Sequence, residues 1–262
     1  MSKAVDLLFL GTGTSAGVPM IGCDCEVCTS DDPRDKRTRC SVVISYAGTT
    51  VLVDTTPELR LQSIWHDVKH VDAVVFTHAH ADHILGLDDL RRFNAIKQGP
   101  LDIWADAATH GVLQHSFAYA WQVPDPASRL FRPHLIPRTI DGPFDIEGQT
   151  WTPVRFDHGK ASVLGYRVGN LAYCTDVSEV SSEAMTQLQD LDILIIDGLQ
   201  WRKHPTHLTV DEALDVIDQL QPKRAYLTHM SHGVFHARDE AKLPDHVRFA
   251  YDGLRISTDT PG

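Results

Sequence analysis

The feature of this 262-residue chain that most limits what it can fold into is a cluster of metal-ligand side chains directly after a short apolar run. His78, His80, Asp82 and His83 lie within six residues, in the pattern H-x-H-x-D-H. The cluster follows A-V-V-F-T, which is typical of a buried strand, and precedes I-L-G-L-D-D-L, which indicates the start of a helix. The four side chains are therefore predicted to lie in a turn at a strand end, where they can converge on one point.

The chemistry of these side chains predicts a pair of metal ions. Imidazole and carboxylate ligands together suit zinc, manganese or iron. One tetrahedral ion cannot readily take four ligands from so short a loop, whereas two ions can share them, with His78 and His80 on one and Asp82 and His83 on the other. Two ions a few ångströms apart generate a hydroxide at neutral pH and bind the oxygens of a phosphoryl or acyl group. A solvated histidine cluster is the alternative, but such a density of ligands is hard to reach by chance.

The rest of the chain has the composition of an ordinary globular protein. With 42% hydrophobic and 23% charged residues, a chain of this length can form a single domain over 1–262. No apolar run approaches the length of a membrane span, and the N-terminus lacks the layout of a secretion signal, so we expect a cytoplasmic protein with no membrane partner. The net charge of −11 argues against a large nucleic acid as substrate, although a local basic patch could override it. A homodimer is left open.

Two series of short apolar segments predict two sets of strands. The first series is Val5–Leu10, Ser41–Tyr46, Val51–Asp54, Ala73–Thr77 and Leu101–Trp104. The second series is Val154–Asp157, Leu164–Val168, Leu171–Thr175, Ile193–Asp197 and Ala225–Thr228. Amphipathic helices are predicted at Leu85–Ile96, Glu179–Leu188 and Val210–Leu220. Many strands with helices between them indicate an α/β fold of sheets covered by helices.

Three later positions are candidate partners for the first loop. His158, Asp176 and His229 each follow an apolar β-type run, as His78 does. A lone histidine after a strand is usually a surface residue, so the prediction that these three positions are ligands depends on the H-x-H-x-D-H motif. Asp54 closes another such run and is predicted to orient a ligand imidazole, although it could simply start a turn.

Three crowded cysteines predict a second metal centre. Cys23, Cys25 and Cys28 form C-x-C-x-x-C in the segment 22–28, which suits a structural zinc better than disulfides. Three free thiols on an exposed loop are the alternative interpretation.

A tetrahedral zinc needs a fourth ligand. Cys40, Cys174 and His232 are the candidates. Cys174 is better explained as a small core residue. His232 lies three residues after His229 and could point away from it, towards the N-terminal loop.

A histidine before a predicted helix is the candidate general acid. His207 precedes a helix that Thr209 can cap. An alkoxide leaving group needs a proton, and a histidine with a near-neutral pKa can supply one. His207 could instead be a surface residue near a helix start, and His204 is the rival, although it lies next to Pro205.

Other residues are open to two interpretations. Lys160 and Arg60 could meet a phosphate charge, but each is equally well explained as a solvated surface residue. The aromatic-rich segment 115–137 is predicted to be either a helix with a surface loop or a flap over the active site.

The run T-H-A-H-A-D-H-I-L-G-L resembles the signature of the metallo-β-lactamase superfamily. The resemblance implies a four-layer αβ/βα sandwich with two metals at one edge, between the sheets. It also implies how the ligands divide between the ions. The first ion would take His78, His80 and His158; the second would take Asp82, His83 and His229; and Asp176 would bridge both.

The start of the chain resembles one branch of that superfamily. L-G-T-G-T-S-A-G-V-P, followed by G-C-D-C-E-V-C, is similar to the opening of the PhnP-type phosphodiesterases, which act on phosphoribosyl 1,2-cyclic phosphate. This resemblance implies a structural zinc on the three cysteines and His232, and a general acid at His207. The run that begins at His207 also resembles the H-S-T motif of tRNase Z.

The leading hypothesis is a dinuclear metal-dependent phosphodiesterase for a small cyclic ribosyl or nucleotide-like substrate. Its cofactors would be two divalent ions, which could be zinc, manganese or iron, and one structural zinc. A hydroxide bridging the two ions would attack phosphorus, with Asp82 in the catalytic cluster and His207 protonating the departing oxygen. The alternatives are a tRNase Z-like RNA 3′-processing endonuclease, a glyoxalase-type thioester or lactone hydrolase, and a non-catalytic metal-binding scaffold.

Overall fold

The computed structural model describes residues 4–122 and 131–258, and the described residues contain two sheets of seven strands each. The strands are β1 (Asp6–Gly11), β2 (Ser41–Tyr46), β3 (Thr49–Val53), β4 (Ala73–Val75), β5 (Leu101–Ala105), β6 (Leu135–Thr139), β7 (Phe144–Ile146), β8 (Gln149–His158), β9 (Ala161–Val168), β10 (Leu171–Cys174), β11 (Ile193–Asp197), β12 (Arg224–Thr228), β13 (Val247–Phe249) and β14 (Arg255–Ser257). The helices are α1 (Leu59–Trp65), α2 (Ala81–Ile84), α3 (Leu90–Lys97), α4 (Ala107–Ser116), α5 (Ser182–Gln187), α6 (Val210–Leu220) and α7 (His236–Glu240).

The two sheets have the same internal organisation. The first has the order β14-β1-β2-β3-β4-β5-β6 and the second β13-β12-β11-β10-β9-β8-β7. In each sheet one half is antiparallel and the other half is parallel, with β3 to β6 parallel in the first and β10 to β13 parallel in the second. The carboxyl ends of two sets of parallel strands are therefore available to build a site.

Strands that are apolar on both faces explain the layered packing. Leu194 and Ile196 of β11 lie in a cluster with Val216, Ile217 and Leu220 of α6 on the outer face of the second sheet. The alternate residues of β11 face a different cluster, which contains side chains from both sheets. Because both faces of such a strand are covered, its sequence is a continuous apolar run without alternation.

Helices cover the outer face of each sheet. In the first sheet a separate cluster joins the outward side chains of β1 and β3 to α1, α3 and α4. In the second, α6 begins with a capping box in which Thr209 and Glu212 satisfy each other's backbone N–H groups. The order helix, sheet, sheet, helix is the predicted αβ/βα sandwich, and the predicted fold class is confirmed.

The predicted helix Leu85–Ile96 begins later than the pattern indicates. A 3₁₀ turn occupies Leu87–Asp89, and α3 begins only at Leu90. The reason is the packing of Gly86 against the first sheet: its N–H donates to Thr55 O at 3.0 Å, and a Cβ at position 86 would lie 2.0 Å from Thr56 O. Tertiary contact thus overrides the helical pattern at its start.

Within residues 4–122 and 131–258, none of the helices has both the length and the apolar character that crossing a bilayer requires.

Candidate metal centre and active site

The candidate site lies where strands of both sheets end. Asp54 follows β3 and His78 lies beyond β4, while Asp176, Asp197 and His229 lie at the ends of β10, β11 and β12. Three of these, Asp54, Asp176 and His229, have left-handed backbone conformations with φ near +60°. Such conformations in residues other than glycine are uncommon, cost about 1–3 kcal/mol each, and concentrate at functional sites.

The predicted ligands come together in two adjacent groups. In each group the ligand-type atoms lie within 4.8 Å of one another. The first group is His78, His80 and His158, and the second is Asp82, His83 and His229. These are the two sets that the resemblance implies for the two ions.

Asp176 lies between the two groups. Its Oδ2 is 3.2 Å from His83 Nε2, whereas its Oδ1 is 3.3 Å from His229 Nε2 and 3.8 Å from His158 Nε2. One carboxylate therefore reaches histidines of both groups, as a bridging ligand must. Thr175 Oγ1 donates to Asp176 Oδ2 at 2.8 Å and holds the carboxylate in this orientation.

Hydrogen bonds at Nδ1 leave the Nε2 lone pairs of several histidines directed into the cluster. His83 Nδ1 lies 2.8 Å from Asp54 Oδ2, and His78 Nδ1 lies 2.9 Å from Thr77 Oγ1, which itself donates to Asp54 Oδ2 at 2.8 Å. His158 Nδ1 lies 2.8 Å from the carbonyl oxygen of Thr206. Partners of this kind fix the tautomer and ring orientation of metal-bound imidazoles. Asp54 thus makes the contact expected of the orienting residue predicted from the sequence.

The donor atoms fit a pair of divalent ions. The buried Nε2 atoms of His78, His83 and His229 have no hydrogen-bond partner among the described residues. A buried polar atom without a partner costs about 1–3 kcal/mol. Imidazole nitrogens that lack hydrogen-bond partners and converge on the same point as carboxylate oxygens are the donor set that zinc, manganese and iron accept.

The electrostatics of the cluster favour positive charge at its centre. Burial opposes the charged form of His83, but the carboxylates of Asp176 and Asp54 outweigh it and raise the pKa of His83 well above its usual value. Burial likewise opposes the ionised form of Asp176, yet His229 and His83 hold the pKa of that carboxyl well below its usual range. A divalent cation satisfies the same demand for positive charge that a proton on His83 otherwise meets.

His207 lies inside the site rather than on the surface. It is buried, and its ring stacks on that of His229 with centroids 4.7 Å apart and planes inclined by 17°. Its Nδ1 lies 2.6 Å from Oδ2 of Asp197, which also accepts a hydrogen bond from Val177 N at 3.0 Å. The rival His204 is half-buried, at a ring distance of 5.2 Å from His207.

Sequence reasoning missed Asp197 and Thr206, which hold His207 and His158 through their Nδ1 atoms. Asp197 could have been predicted, because it ends an apolar run just as Asp54 does. In the structure each of the two carboxylates contacts the Nδ1 of a histidine. Thr206 could not have been predicted, because its carbonyl oxygen contacts His158 from 48 residues away. The turn after His158 approaches the loop that contains Thr206 closely: Gly159 has φ +63°, and a Cβ there would lie 2.7 Å from Thr206 Cγ2.

The three clustered cysteines converge on one imidazole. The Sγ atoms of Cys23, Cys25 and Cys28 lie 3.2, 3.5 and 3.7 Å from His232 Nδ1. A tetrahedral zinc with Zn–S of about 2.3 Å and Zn–N of about 2.0–2.1 Å places sulfur and nitrogen about 3.6 Å apart. A hydrogen bond from the Cys28 backbone lowers the pKa of the Cys25 thiol to about 6, which favours a thiolate ligand. The four residues therefore fit a structural zinc.

The other two cysteines lie elsewhere. Cys40 is buried between the sheets, with Sγ 3.2 Å from the Tyr173 hydroxyl and 3.3 Å from Thr228 Oγ1. Cys174 is buried in the outer core of the second sheet. Of the three candidates for the fourth ligand, the structure brings only His232 to the thiolates.

The remaining candidates are not brought into the cluster. Lys160 and Arg60 are both exposed. Of the segment 115–137, residues 123–130 lie outside the described residues. Tyr119 donates to Asp88 Oδ1 at 2.7 Å, in the turn before α3, and Arg91 in the first turn of α3 lies over the ring of Phe131 at 5.6 Å.

Comparisons with known proteins agree with this geometry. A family model described as a beta-lactamase superfamily domain matches residues 49–230. An octanoyltransferase of Porphyromonas gingivalis is 37% identical over 259 residues, which cover 97% of this chain, but the chain spans only 52% of that protein. Coenzyme PQQ synthesis protein B of a Methylobacterium species is 29% identical over 223 residues, covering 73% of this chain and 72% of that protein.

One solved structure indicates which branch of the superfamily this chain resembles. The crystal structure of a new diphosphatase from the PhnP family is 40% identical, superimposes with a TM-score of 0.90, and covers 97% of each chain. The resemblance that the sequence carries in its cysteine loop and its histidine motif is thereby confirmed. The chain belongs to the beta-lactamase superfamily and, within it, to the PhnP family.

Proposed function

We propose that this protein is a metal-dependent hydrolase that cleaves a small phosphodiester with water as the nucleophile. The observation that carries the proposal is the His207–Asp197 pair, with atoms 2.6 Å apart, directly beside a double His/Asp cluster that Asp176 bridges. A thioester hydrolase needs the cluster but releases a thiolate, which has less need of a separate proton donor. A buried, oriented histidine next to it therefore favours a leaving group that must be protonated.

The metals would be held by the two groups of ligands described above. His78, His80 and His158 would hold one ion, Asp82, His83 and His229 the other, and Asp176 both. Two such ions lower the pKa of a water molecule and withdraw charge from the oxygens of the phosphoryl group. Asp54, Thr77 and Thr206 orient the imidazoles, so that the ligands need little rearrangement on metal binding.

His207 would deliver the proton. Burial raises the pKa of Asp197 and lowers the pKa of His207, so a lone charge on either residue is disfavoured. A protonated His207 beside an ionised Asp197 is neutral as a pair. With Nδ1 held by Asp197, His207 can release the proton on Nε2 to the departing alkoxide oxygen.

The substrate class is proposed from two considerations. The net charge of −11 disfavours a large polyanion, so a small phosphodiester is preferred over pre-tRNA. Membership of the PhnP family favours a cyclic ribosyl or nucleotide-like phosphodiester.

A second candidate is the hydrolysis of a diphosphate. It is favoured by the 40%-identical relative, which is described as a diphosphatase. The two candidates differ in their leaving group, since a phosphate departs readily without a proton whereas an alkoxide does not. The role of His207 therefore distinguishes them.

A substrate panel tests the proposal. Zinc- and manganese-loaded protein is assayed with bis-p-nitrophenyl phosphate, cyclic ribosyl and nucleoside phosphates, a nucleoside diphosphate, pre-tRNA and a glutathione thioester. We expect the highest kcat/KM among the small phosphodiesters. A preference for the diphosphate would support the second candidate, and a preference for pre-tRNA or the thioester would contradict both.

A further inference from the structure

A buried arginine outside the catalytic cluster holds a segment that serves both candidate metal centres. Arg37 is 1% exposed. Its Nη1 donates to the carbonyl oxygen of Ser231 at 2.9 Å, and its Nη2 donates to that of Val234 at 2.9 Å and to Asp35 Oδ1 at 2.8 Å. Its Nε donates to the carbonyl oxygen of Arg34 at 3.2 Å. The guanidinium thus joins two distant parts of the chain in one buried network.

The segment that Arg37 holds, 229–234, carries one ligand of each centre. His229 belongs to the catalytic cluster, and three residues later His232 faces the thiolates. The carbonyl groups that Arg37 binds, those of Ser231 and Val234, lie on either side of His232 in the chain.

Arg37 also holds the thiolate loop through its own backbone. Its N–H donates to the carbonyl oxygen of Val18 at 2.7 Å, and the N–H of Val18 donates back to Arg37 at 2.8 Å. Val18 packs with Val27 and Cys28 in a small cluster beneath the thiolates. Arg37 therefore contacts the cysteine loop with its main chain and the histidine segment with its side chain.

His229 depends on this segment more than His83 and His158 depend on theirs. Hydrogen bonds at Nδ1 orient His83 and His158, whereas the buried Nδ1 of His229 has no partner among the described residues. The direction of its ring is therefore set by stacking on His207 and by the backbone, which is left-handed at His229 with φ +58°. The hydrogen bonds from Arg37 to the backbone of 229–234 therefore compensate for the missing partner at His229 Nδ1.

We infer that Arg37 is a positioning residue for both metal centres, because it fixes His229 and His232 together through the carbonyl groups of segment 229–234. Loss of its guanidinium should weaken binding of the ion at His229 and of the ion at the thiolates. It should spare the ion at His78, His80 and His158, none of which lies on this segment. The inference depends on the proposed ligand set but not on the substrate.

The test variant removes the guanidinium without leaving a lone buried carboxylate. Removing one partner of a buried ion pair is strongly destabilising, so Arg37→Met is combined with Asp35→Asn. The amide oxygen of the asparagine can still accept the hydrogen bond that Asp35 receives from His236 N at 2.9 Å. Arg37→Lys is the milder second variant, since a lysine keeps the charge but cannot hold two carbonyl groups with a planar fork.

Arg167→Met is the matched control. Arg167 also binds backbone carbonyl groups, donating to those of Gln187 and Gln189 at 2.7 Å and to that of Gly169 at 3.0 Å. None of these three residues is a proposed ligand. A loss of carbonyl binding that merely loosens the fold should therefore act alike in both variants.

The experiment measures the affinity of zinc and cobalt for each of the three proposed metal sites in metal-buffered solutions. Thermal unfolding is the control for folding. Cobalt at the thiolates is followed by its sulfur-to-metal charge-transfer absorption. We expect the double variant to bind the thiolate ion and one catalytic ion about 10–100-fold more weakly, as for loss of an outer partner of a metal ligand, and the other catalytic ion as the wild type does. Arg37→Lys should show the same selectivity to a smaller degree, and Arg167→Met should bind all three ions normally.

Two results would overturn the inference. One is an equal loss at all three ions, which would mean that Arg37 only supports the fold. The other is unchanged affinity at both affected ions in Arg37→Lys or in the double variant. The number of ions bound by the wild type tests the proposed ligand set separately, since the inference is judged from the ratio between variant and wild type.

Discussion

The two candidate metal centres are built in different ways. The catalytic ligands lie at the ends of strands, and hydrogen bonds to Asp54, Thr77 and Thr206 orient several of them independently of any metal. The thiolates lie on the long loop 12–40 between β1 and β2, where Cys23 and Cys25 are half-buried. The first centre is therefore organised by the sheets, whereas the second lies on a loop whose main support besides its ligands is Arg37.

The contrast extends to the hydrophobic support of each centre. Large clusters from both sheets lie beneath the catalytic strand ends. The thiolate loop has only a small cluster of Val18, Val27 and Cys28, with Phe235 and a few partly buried neighbours. Structural zinc contributes folding free energy directly where a segment has little core of its own. We conclude that the fold positions the catalytic ligands before metal binds, whereas the thiolate loop depends on bound zinc for its ordered structure.

The largest effect is expected from Asp176→Ala. Removing the carboxylate that reaches both ligand groups should lower catalytic metal affinity by more than about 100-fold and abolish activity, because losing even an outer partner costs about 10–100-fold. The thiolate ion and the melting temperature should change little, because the sheets carry this centre. Metal content by mass spectrometry and calorimetry check both points.

Asp190→Ala is the matched control for Asp176→Ala, since Asp190 is an exposed aspartate that also has a positive φ, of 58°. It should keep all three ions. Two catalytic ions still bound in Asp176→Ala would show that this carboxylate is not the bridge.

The next largest effect is expected from His207→Ala. Both catalytic ions should remain, and kcat should fall by about 10²–10⁴-fold on substrates with an alkoxide leaving group, because the proton donor is lost. On p-nitrophenyl esters the fall should be far smaller, since nitrophenolate leaves without a proton. His204→Ala, three residues earlier, should be close to wild type on both substrates.

Two outcomes would revise the role of His207. An equal loss on both substrate types would indicate a binding or structural role. Loss of an ion would make it a ligand, which the geometry permits, because its ring lies in a group with His158 and Asp176 whose donor atoms are within 4.8 Å of one another.

Cys25→Ser tests whether the thiolate loop depends on its zinc for stability. The variant should lose one zinc, and its free energy of unfolding should fall by at least about 2 kcal/mol, a small part of the ~10–16 kcal/mol apparent binding energy of structural zinc sites. Catalytic metal content should change little, because Arg37 still holds segment 229–234. His232→Ala should behave alike. Unchanged zinc stoichiometry in both variants would refute the thiolate centre.

The smallest effect is a pH dependence near the thiolate loop. Burial lowers the pKa of His236, which packs between the rings of Phe249 and Tyr251, to about 4. Its folded pKa thus lies below the unfolded value of about 6.5, so the folded state binds fewer protons between these values. The stability due to the neutral ring is complete above pH 6.5 and is lost as pH falls towards 4.

Denaturant unfolding of the wild type and of His236→Phe, at pH 7 and pH 5, measures this contribution. The wild type should lose about 1–2 kcal/mol more than the variant on acidification. Equal losses would mean that His236 does not titrate between these conditions.

The sequence is informative where a short-range pattern and a tertiary role coincide. His78, Asp176 and His229 could be predicted because each follows a largely buried strand that reads as an apolar run, whereas His158 ends β8, where buried and exposed residues alternate. The same runs predict the sandwich. The helix α6 could be predicted to the residue because Thr209 and Glu212 form its capping box locally.

The sequence is uninformative where long-range contacts decide. The strands β7, β13 and β14 have three residues each and exist only through pairing with neighbouring strands. Arg37 carries no local signal, because its partner Ser231 lies 194 residues away. The sequence predicts that Asp197 ends a strand, but the role of Asp197 depends on how the following loop folds back to bring His207 against it.

Amide hydrogen exchange of the metal-free and zinc-loaded protein tests most directly whether metal organises one centre and the sheets the other. We expect metal removal to accelerate exchange by at least about tenfold in segment 18–30, because it is ordered through the thiolate ion, and to change exchange little in segment 229–234, which Arg37 holds. Exchange at the strand ends 52–55 and 172–176 should change little. Acceleration at these strand ends as large as that in the thiolate loop would contradict the account, because the sheets would then depend on metal as much as the loop does.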